Sequence, residues 1–355
     1  MILGHPEGNM NNQHKITERR RLLDQNGHLS EPGYATSPIL DYRRGDIKAA
    51  GFRIKEWDYY YVGNSKYAVA FTIADNSYLA LVSVTVFDFI GKKEQTNTII
   101  IPFTFGKLNL PESSRAGITA FKNKTVDISF VNDGIKRKLR CDFKNFTKGE
   151  NLSADLILSD EPRDTMVIAT PFAEDKKAFY YNQKINTMKA RGTVVHGGRI
   201  YNYDTPDSMG SLDWGRGVWT YKNTWYWGCM SVLLPDGKTF GFNIGYGFGD
   251  TAAATENMVF YDGIAHKLSR VDFIIPVKNG KDDFMSPWKF TSDDGRFELD
   301  FFPILDRNSN SNILILKSIQ HQVFGKFSGR VILDDGKIIE LKDQIGFAEK
   351  VYNKF

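Results

Sequence analysis

Little in this chain commits it to a covalent or metal-bound framework. Its two cysteines, Cys141 and Cys229, stand far apart without C-x-x-C spacing. Neither a disulfide scaffold nor a zinc site is indicated, and a reducing, cytoplasmic location is expected. Histidine is scarce, six residues in 355, and His266 and His321 fall in no H-x-H or H-E-x-x-H pattern, so no metal is expected. The sequence holds no G-x-S-x-G, Walker A or S-x-x-K motif, which argues against covalent serine chemistry and nucleotide hydrolysis. No cofactor is called for: "GYGFGD" at 245–250 lacks the G-x-G-x-x-G of a dinucleotide fold and reads as a bulge or barrel corner. No window approaches the ~20 apolar residues that span a bilayer, so no integral membrane segment is expected. The first fifteen residues, MILGHPEGNMNNQHK, have no signal-like apolar run and read as a flexible tail. A dominant charge is missing as well. With 46 basic residues against 42 acidic the net charge is only +4, too weak a field to favour nucleic acid, and the run Arg19 to Arg21 reads as a solvated face.

What is abundant is β chemistry. Aromatic residues make up 14% of the chain and glycines number 31, a mixture suited to pleated surfaces and tight turns. "YAVAFTIAD", "SYLALVSVTVFDFIG" and "TNTIIIPFTFG" are β-branched and aromatic runs closed by Asn, Asp or Gly. Asn-Asp-Gly at 132–134, and Asp-Gly at 236–237, 262–263 and 335–336, sit between such runs as hairpin turns. Three hairpins in the second half predict an antiparallel meander closing as a barrel or sandwich. Helical periodicity is limited to short turns near Glu18–Asp24 and Glu174–Thr187. A single core stops growing near about 250 residues, so the chain divides into two halves. The predicted organisation is a tail at 1–15, an N-terminal half at 16–185 and a C-terminal half at 186–355, with "DKKAFYYNQKINTMKARG" as the linking segment.

One stretch concentrates aromatic surface around charge. "SLDWGRGVWTYKNTWYWG", residues 211–228, holds four of the six tryptophans beside Asp213 and Arg216. Strand alternation puts Asp213, Gly215, Gly217 and Trp219 on one face and Trp214, Arg216 and Val218 on the other. A glycine bulge at Gly215 or Gly217 would bring Asp213 and Arg216 together. In the functional reading Asp213 projects into an aromatic-walled cavity, where desolvation would raise its pKa and make it a general acid. Arg216 or His196 would then tune it or position water, and Trp214, Trp219, Trp225, Trp227, Tyr203 and Glu256 would line the ligand. In the structural reading Asp213 is ion-paired with an arginine and the tryptophans fill the core. His196, between two valines and two glycines, reads equally as a strand-end structural residue.

Five stretches, "ITERRRLLDQNGHLSEPGYA" (16–35), "IKAAGFRIKEWDYYYV" (47–62), "SLDWGRGVWTY" (211–221), "TENMVFYDGIAHKL" (255–268) and the carboxyl end "HQVFGKFSGRVILDDG…GFAEKVYNKF", resemble the bacterial family called domain of unknown function 2804. More distantly, Asp213-Trp214-Gly215 and the two-half β pattern are similar to twin-lipocalin proteins of the hydroxyneurosporene synthase (carotenoid hydratase) type. That resemblance implies an all-β fold of two tandem lipocalin-like halves with a few short helices. It also implies a carboxylate in an apolar cavity that protonates an alkene or assists a cyclisation.

The functional expectation is a cofactor-independent hydratase, isomerase or cyclase. Its partner would be an apolar small molecule of isoprenoid, steroid or polyketide-like type, with Asp213 as general acid. The alternatives are a lipocalin-like carrier of a hydrophobic metabolite without catalysis and, third, a carbohydrate-active protein with a second carboxylate facing Asp213. The oligomeric state is left open.

Overall fold

The computed structural model describes residues 13–313 and 316–354. Strands dominate, and among the described residues the helices are two single 3-10 turns, Arg44–Asp46 and Gly51–Arg53. A thirteen-stranded sheet has as its main path the strands 93–102, 79–88, 67–75, 54–63, 209–218, 175–196, 150–159, 137–147, 126–132 and 117–122, all antiparallel neighbours. It curls on itself: Asn97 of the edge strand donates to the Phe146 carbonyl at 2.8 Å, seven strands away along that path.

A nine-stranded antiparallel sheet forms the second half, in the order 264–267, 258–261, 239–246, 222–233, 338–354, 316–332, 297–313, 288–292, 271–274. Its two edge strands are consecutive in the chain, joined only by residues 268–270. Such a link spans at most about 14 Å, whereas a flat sheet of this size would be about 38 Å wide. The sheet is therefore rolled. The architecture is all-β with two tandem lipocalin-like halves.

The chain crosses from one sheet to the other between Val218 and Lys222. The boundary expected near residue 185 instead falls inside the strand Asp175–His196, the long strand that the linking segment and the amphipathic turn at Glu174–Thr187 become. That run, buried from Ala178 to Met188 on both faces, loses the alternation that marks a half-exposed strand and so imitates a helix. The turn expected at Glu18–Asp24 is likewise extended, with Arg20–Arg21 pairing in parallel with Leu40–Asp41. Most of the expected tail lies outside the described residues. Its end is docked on the second half, where Gln13 accepts from the Thr255 backbone at 2.8 Å and the His14 amide donates to Ala253 at 2.8 Å.

The two halves share a core. Tyr61 stacks on Phe324 and meets Phe347 edge-on, with centroids 5.8 and 5.6 Å apart, and Phe87 lies 4.2 Å from Phe324. At a bulge between Ile185 and Met188 the long strand reaches across the seam. There the Asn186 amide donates to the Phe242 carbonyl at 3.1 Å, and the Thr187 amide to Ser231 at 3.0 Å.

Candidate active site in the seam between the halves

Two rows of side chains face each other across the seam. In the first sheet Tyr59, Asp213 and Lys184 are direct cross-strand partners on three adjacent strands. In the second sheet Gly245, Trp227, Glu349, Gln322 and Arg307 form a row of direct partners over five strands. Direct partners share a face of the sheet, so register alone assembles each row.

The centre is an ion pair. Lys184 Nζ lies 2.8 Å from the Asp213 carboxylate, and the Asn182 amide donates to the same carboxylate at 2.7 Å. Asn182 is two residues from Lys184, hence on its face. The ammonium also sits 3.8 Å from the centre of a Trp227 ring, an attraction of charge to π face that links the two halves. Trp227 is fixed in turn: its indole N–H donates to Asn243 at 2.7 Å, and Asn243 donates to the Glu256 carbonyl at 2.9 Å.

Two further carboxyl groups face this pair. Glu256 and Glu349 are 3% and 4% exposed. Each is raised to about 7, chiefly by burial and in smaller part by the Asp213 charge, with the Lys184 ammonium working the other way. The Trp225 indole N–H donates to Glu349 at 2.9 Å. Tyr180 contributes a long hydrogen bond to Glu256 Oε2 at 3.5 Å, while Glu256 Oε1 is buried with no hydrogen-bond partner. Gly245 is required here, since a Cβ would stand 2.2 Å from that same oxygen. Around these groups Trp219 touches Trp225, Tyr180 and Trp57 at centroid distances of 5.3, 5.7 and 6.0 Å. Phe248 stacks on Tyr180 at 4.8 Å, so the "GYGFGD" stretch covers one side of the site. Among the described residues no group of three or more His, Cys, Asp or Glu side chains is arranged to hold a metal ion.

Of the residues singled out in the sequence, Asp213, Glu256, Trp219, Trp225 and Trp227 come together here. Arg216 does not, because the strand Met209–Val218 runs in unbroken register against Ile54–Gly63 and alternation holds. Arg216 points into the first half, 3.1 Å from Asp58, with its guanidinium 4.2 Å from the Trp214 ring. Trp214 shares that side, meeting Tyr42 and Tyr181 edge-on. The aspartate's partner is thus a lysine from a neighbouring strand, not the arginine of its own. His196 lies a dozen residues beyond Lys184 on the same strand, bonded to Gln95 at 2.9 Å and the Asn151 carbonyl at 3.2 Å. Tyr203 is buried against Tyr67, away from the ion pair.

Sequence reading missed Lys184, Asn182, Tyr180, Glu349 and Tyr59. Local pattern carried little signal for them, since Asn182, Gln183 and Lys184 are consecutive polar residues and no alternation singles out the two that face the seam.

Residues 13–355 match the model of the family described as Domain of unknown function (DUF2804). The chain belongs to that family. No curated protein matches the chain. Among solved structures, a candidate AttH protein of Nitrosomonas europaea superposes with a TM-score of 0.50 at 12% identity, over 89% of this chain and 98% of that one. Kievitone hydratase of Nectria haematococca aligns at 0.49 and 10% identity, over 95% and 98% of the respective chains. CghA aligns at 0.45 and 8% identity, over 97% of each. The AttH likeness is one of fold. In the DUF2804 chain, as elsewhere, chemistry has to be argued from the site. No helix among its described residues is long and apolar enough to cross a membrane.

Proposed function

We propose that this DUF2804 protein is a cofactor-independent proton-transfer catalyst, a hydratase or isomerase, acting on an apolar small molecule at the seam. The observation that carries the reading is Glu256: a carboxyl near 7 buried among aromatic rings, with one oxygen free of any protein hydrogen-bond partner. A group poised near the working pH is the efficient acid–base catalyst, and carboxyls pushed apart in character by their surroundings mark acid and base roles. Asp213, held by Lys184 and Asn182, suits the fixed negative charge better than the acid. Glu256 therefore replaces Asp213 as general acid in this proposal.

Protonated Glu256 gives its proton to one alkene carbon. The indole faces of Trp219 and Trp225 and the Asp213 carboxylate steady the cation that develops on the other. Water adds to that carbon and its surplus proton returns to Glu256, so one water is consumed and the enzyme is regenerated; loss of a different proton gives isomerisation. Because the reacting groups are buried, entry requires movement of the segment 247–257, which carries both Phe248 and Glu256. A cytoplasmic location belongs to the same proposal, in keeping with two buried, unpaired cysteines.

The test is incubation of the protein in D2O with a panel of isoprenoid, steroid and polyketide-like alkenes, read by mass spectrometry. Deuterium or water is incorporated, and Glu256→Gln lowers turnover by roughly 100-fold or more while tryptophan quenching by the ligand persists. Turnover that survives Glu256→Gln but not Asp213→Asn returns the acid role to Asp213. Ligands bound tightly yet recovered unchanged make the protein a carrier.

A further inference from the structure

The long strand Asp175–His196 buries one hydrogen-bond acceptor that the seam leaves unspent. Asn182 is fully buried, and its amide nitrogen donates to Asp213 at 2.7 Å. Turning the amide over would set its oxygen against the carboxylate, so Asp213 fixes which way it points. Asn182 Oδ1 then has no hydrogen-bond partner among the described residues. Its direct partners on the flanking strands, Ile168 and Gly215, bring no polar side chain to it. The Lys184 ammonium is taken up by Asp213 and the Trp227 ring. An unpaired polar atom at such depth is costly, and it calls for a water or a ligand.

The missing partner has to be a donor, because an amide oxygen only accepts. That donor is an O–H, of water or of a bound molecule, and two features favour water. The acceptor stands beside the Asp213–Lys184 ion pair, whereas the aromatic faces that suit an apolar ligand gather around Trp219, Trp225 and Phe248. Asp213 also offers lone pairs next to the amide. One water can therefore donate a proton to each, leaving its own lone pairs free to attack. Tyr180, two residues along the same face, reaches Glu256 at 3.5 Å, so the acceptor and the acid belong to one cluster.

We infer that Asn182 seats the second substrate, water, and that the reaction at the seam is hydration rather than isomerisation. The inference rests on the proton-transfer reading above. Once Glu256 has protonated the alkene, the held water forms the new C–O bond from an oxygen lone pair. The O–H bond facing Asp213 breaks, and that proton passes by way of the carboxylate back to Glu256. One water is consumed per turnover, and nothing is oxidised or reduced.

The test compares products formed in D2O. Hydration and isomerisation share the protonation step and divide after it, so the ratio of water adduct to deuterated isomer reports whether water is in place. Wild type gives mainly the adduct, and Asn182→Ala lowers the ratio roughly ten-fold or more while total deuterium uptake falls less. A merely structural Asn182 would slow both products alike, so an unchanged ratio overturns the inference, as does a wild type that yields isomer alone. A variant that only raises KM for hydroxylated alkenes overturns it too, since the amide would then hold the ligand. Should Asn182→Ala not fold, a high-resolution crystal structure of the wild-type protein decides: a water within hydrogen-bond distance of Asn182 Oδ1 is expected, and an amide oxygen without one overturns the inference. No deuterium uptake by wild type from any alkene would instead remove the proton-transfer reading itself, and this inference with it.

Discussion

In the seam, Asp213, Glu256 and Glu349 lie around the Lys184 ammonium, with Lys267 also acting on Glu256 and Arg307 on Glu349, and burial outweighs these cations at both glutamates. Lys184 is committed to Asp213, so desolvation prevails at both glutamates and each rises to about 7 from an ordinary value near 4.5. Between those two values the folded state holds protons that the unfolded chain has released. Stability is therefore greatest below about pH 4.5, so far as these groups contribute, and falls as pH rises through 7, by about 3 kcal/mol for each. Urea unfolding at pH 5 and pH 8 checks this: Glu256→Gln is expected to remove about half of the wild-type difference due to these groups. The ion pair itself predicts a second pattern. Lys184→Met or Asp213→Asn alone leaves a buried, uncompensated partner and costs about 3–5 kcal/mol, whereas Lys184→Met/Asp213→Asn together costs less than the sum. A double-mutant cycle by chemical denaturation measures the coupling, and additive losses would show that the two groups are not paired.

Among the strands, what the sequence revealed depended on how each is buried. The hairpins around Asp236, Asp262 and Asp335 were legible because primed or tight turns demand particular residues. The alternation of Asp213 against Arg216 was legible too, and it held because the glycines of "DWGRG" form no bulge. They make room instead: a Cβ on Gly215 would stand 2.0 Å from Trp57 Cζ2. Gly215→Ala is accordingly expected to destabilise by about 1–3 kcal/mol through overpacking, measurable as a lowered melting temperature. The strand Asp175–His196 was illegible for the opposite reason. Buried on both faces at its centre, it shows no period of two. Glu349 was hidden likewise, within the apolar run "GFAEKVY". Which strands become neighbours is a long-range property, so the pairing of residue 184 with 213, or of 349 with 227, cannot be read from local pattern.

For the whole molecule the seam is a core shared by two sheets, not a contact between finished domains. Trp227, Phe324 and Phe347 of the second half belong to the same hydrophobic cluster as Val62, Phe71 and Phe87 of the first. Separating the halves would uncover these rings together with Glu349 and Lys184, exposing apolar surface and leaving the ammonium without its aromatic partner. The long strand also crosses the seam through Asn186, whose amide is satisfied by carbonyls of the second sheet. Neither half therefore has a complete set of partners alone. The expected outcome is one calorimetric transition for the full chain, with equal van't Hoff and calorimetric enthalpies. Fragments 13–221 and 222–355 should be insoluble apart and recover a folded species when expressed together. Two resolved transitions, or a soluble, cooperatively folded 222–355 fragment, would mean that each sheet encloses a sufficient core of its own. The seam would then be a docking surface whose opening costs little, and loosening of the two halves, rather than movement of the 247–257 segment, would admit a ligand to Glu256.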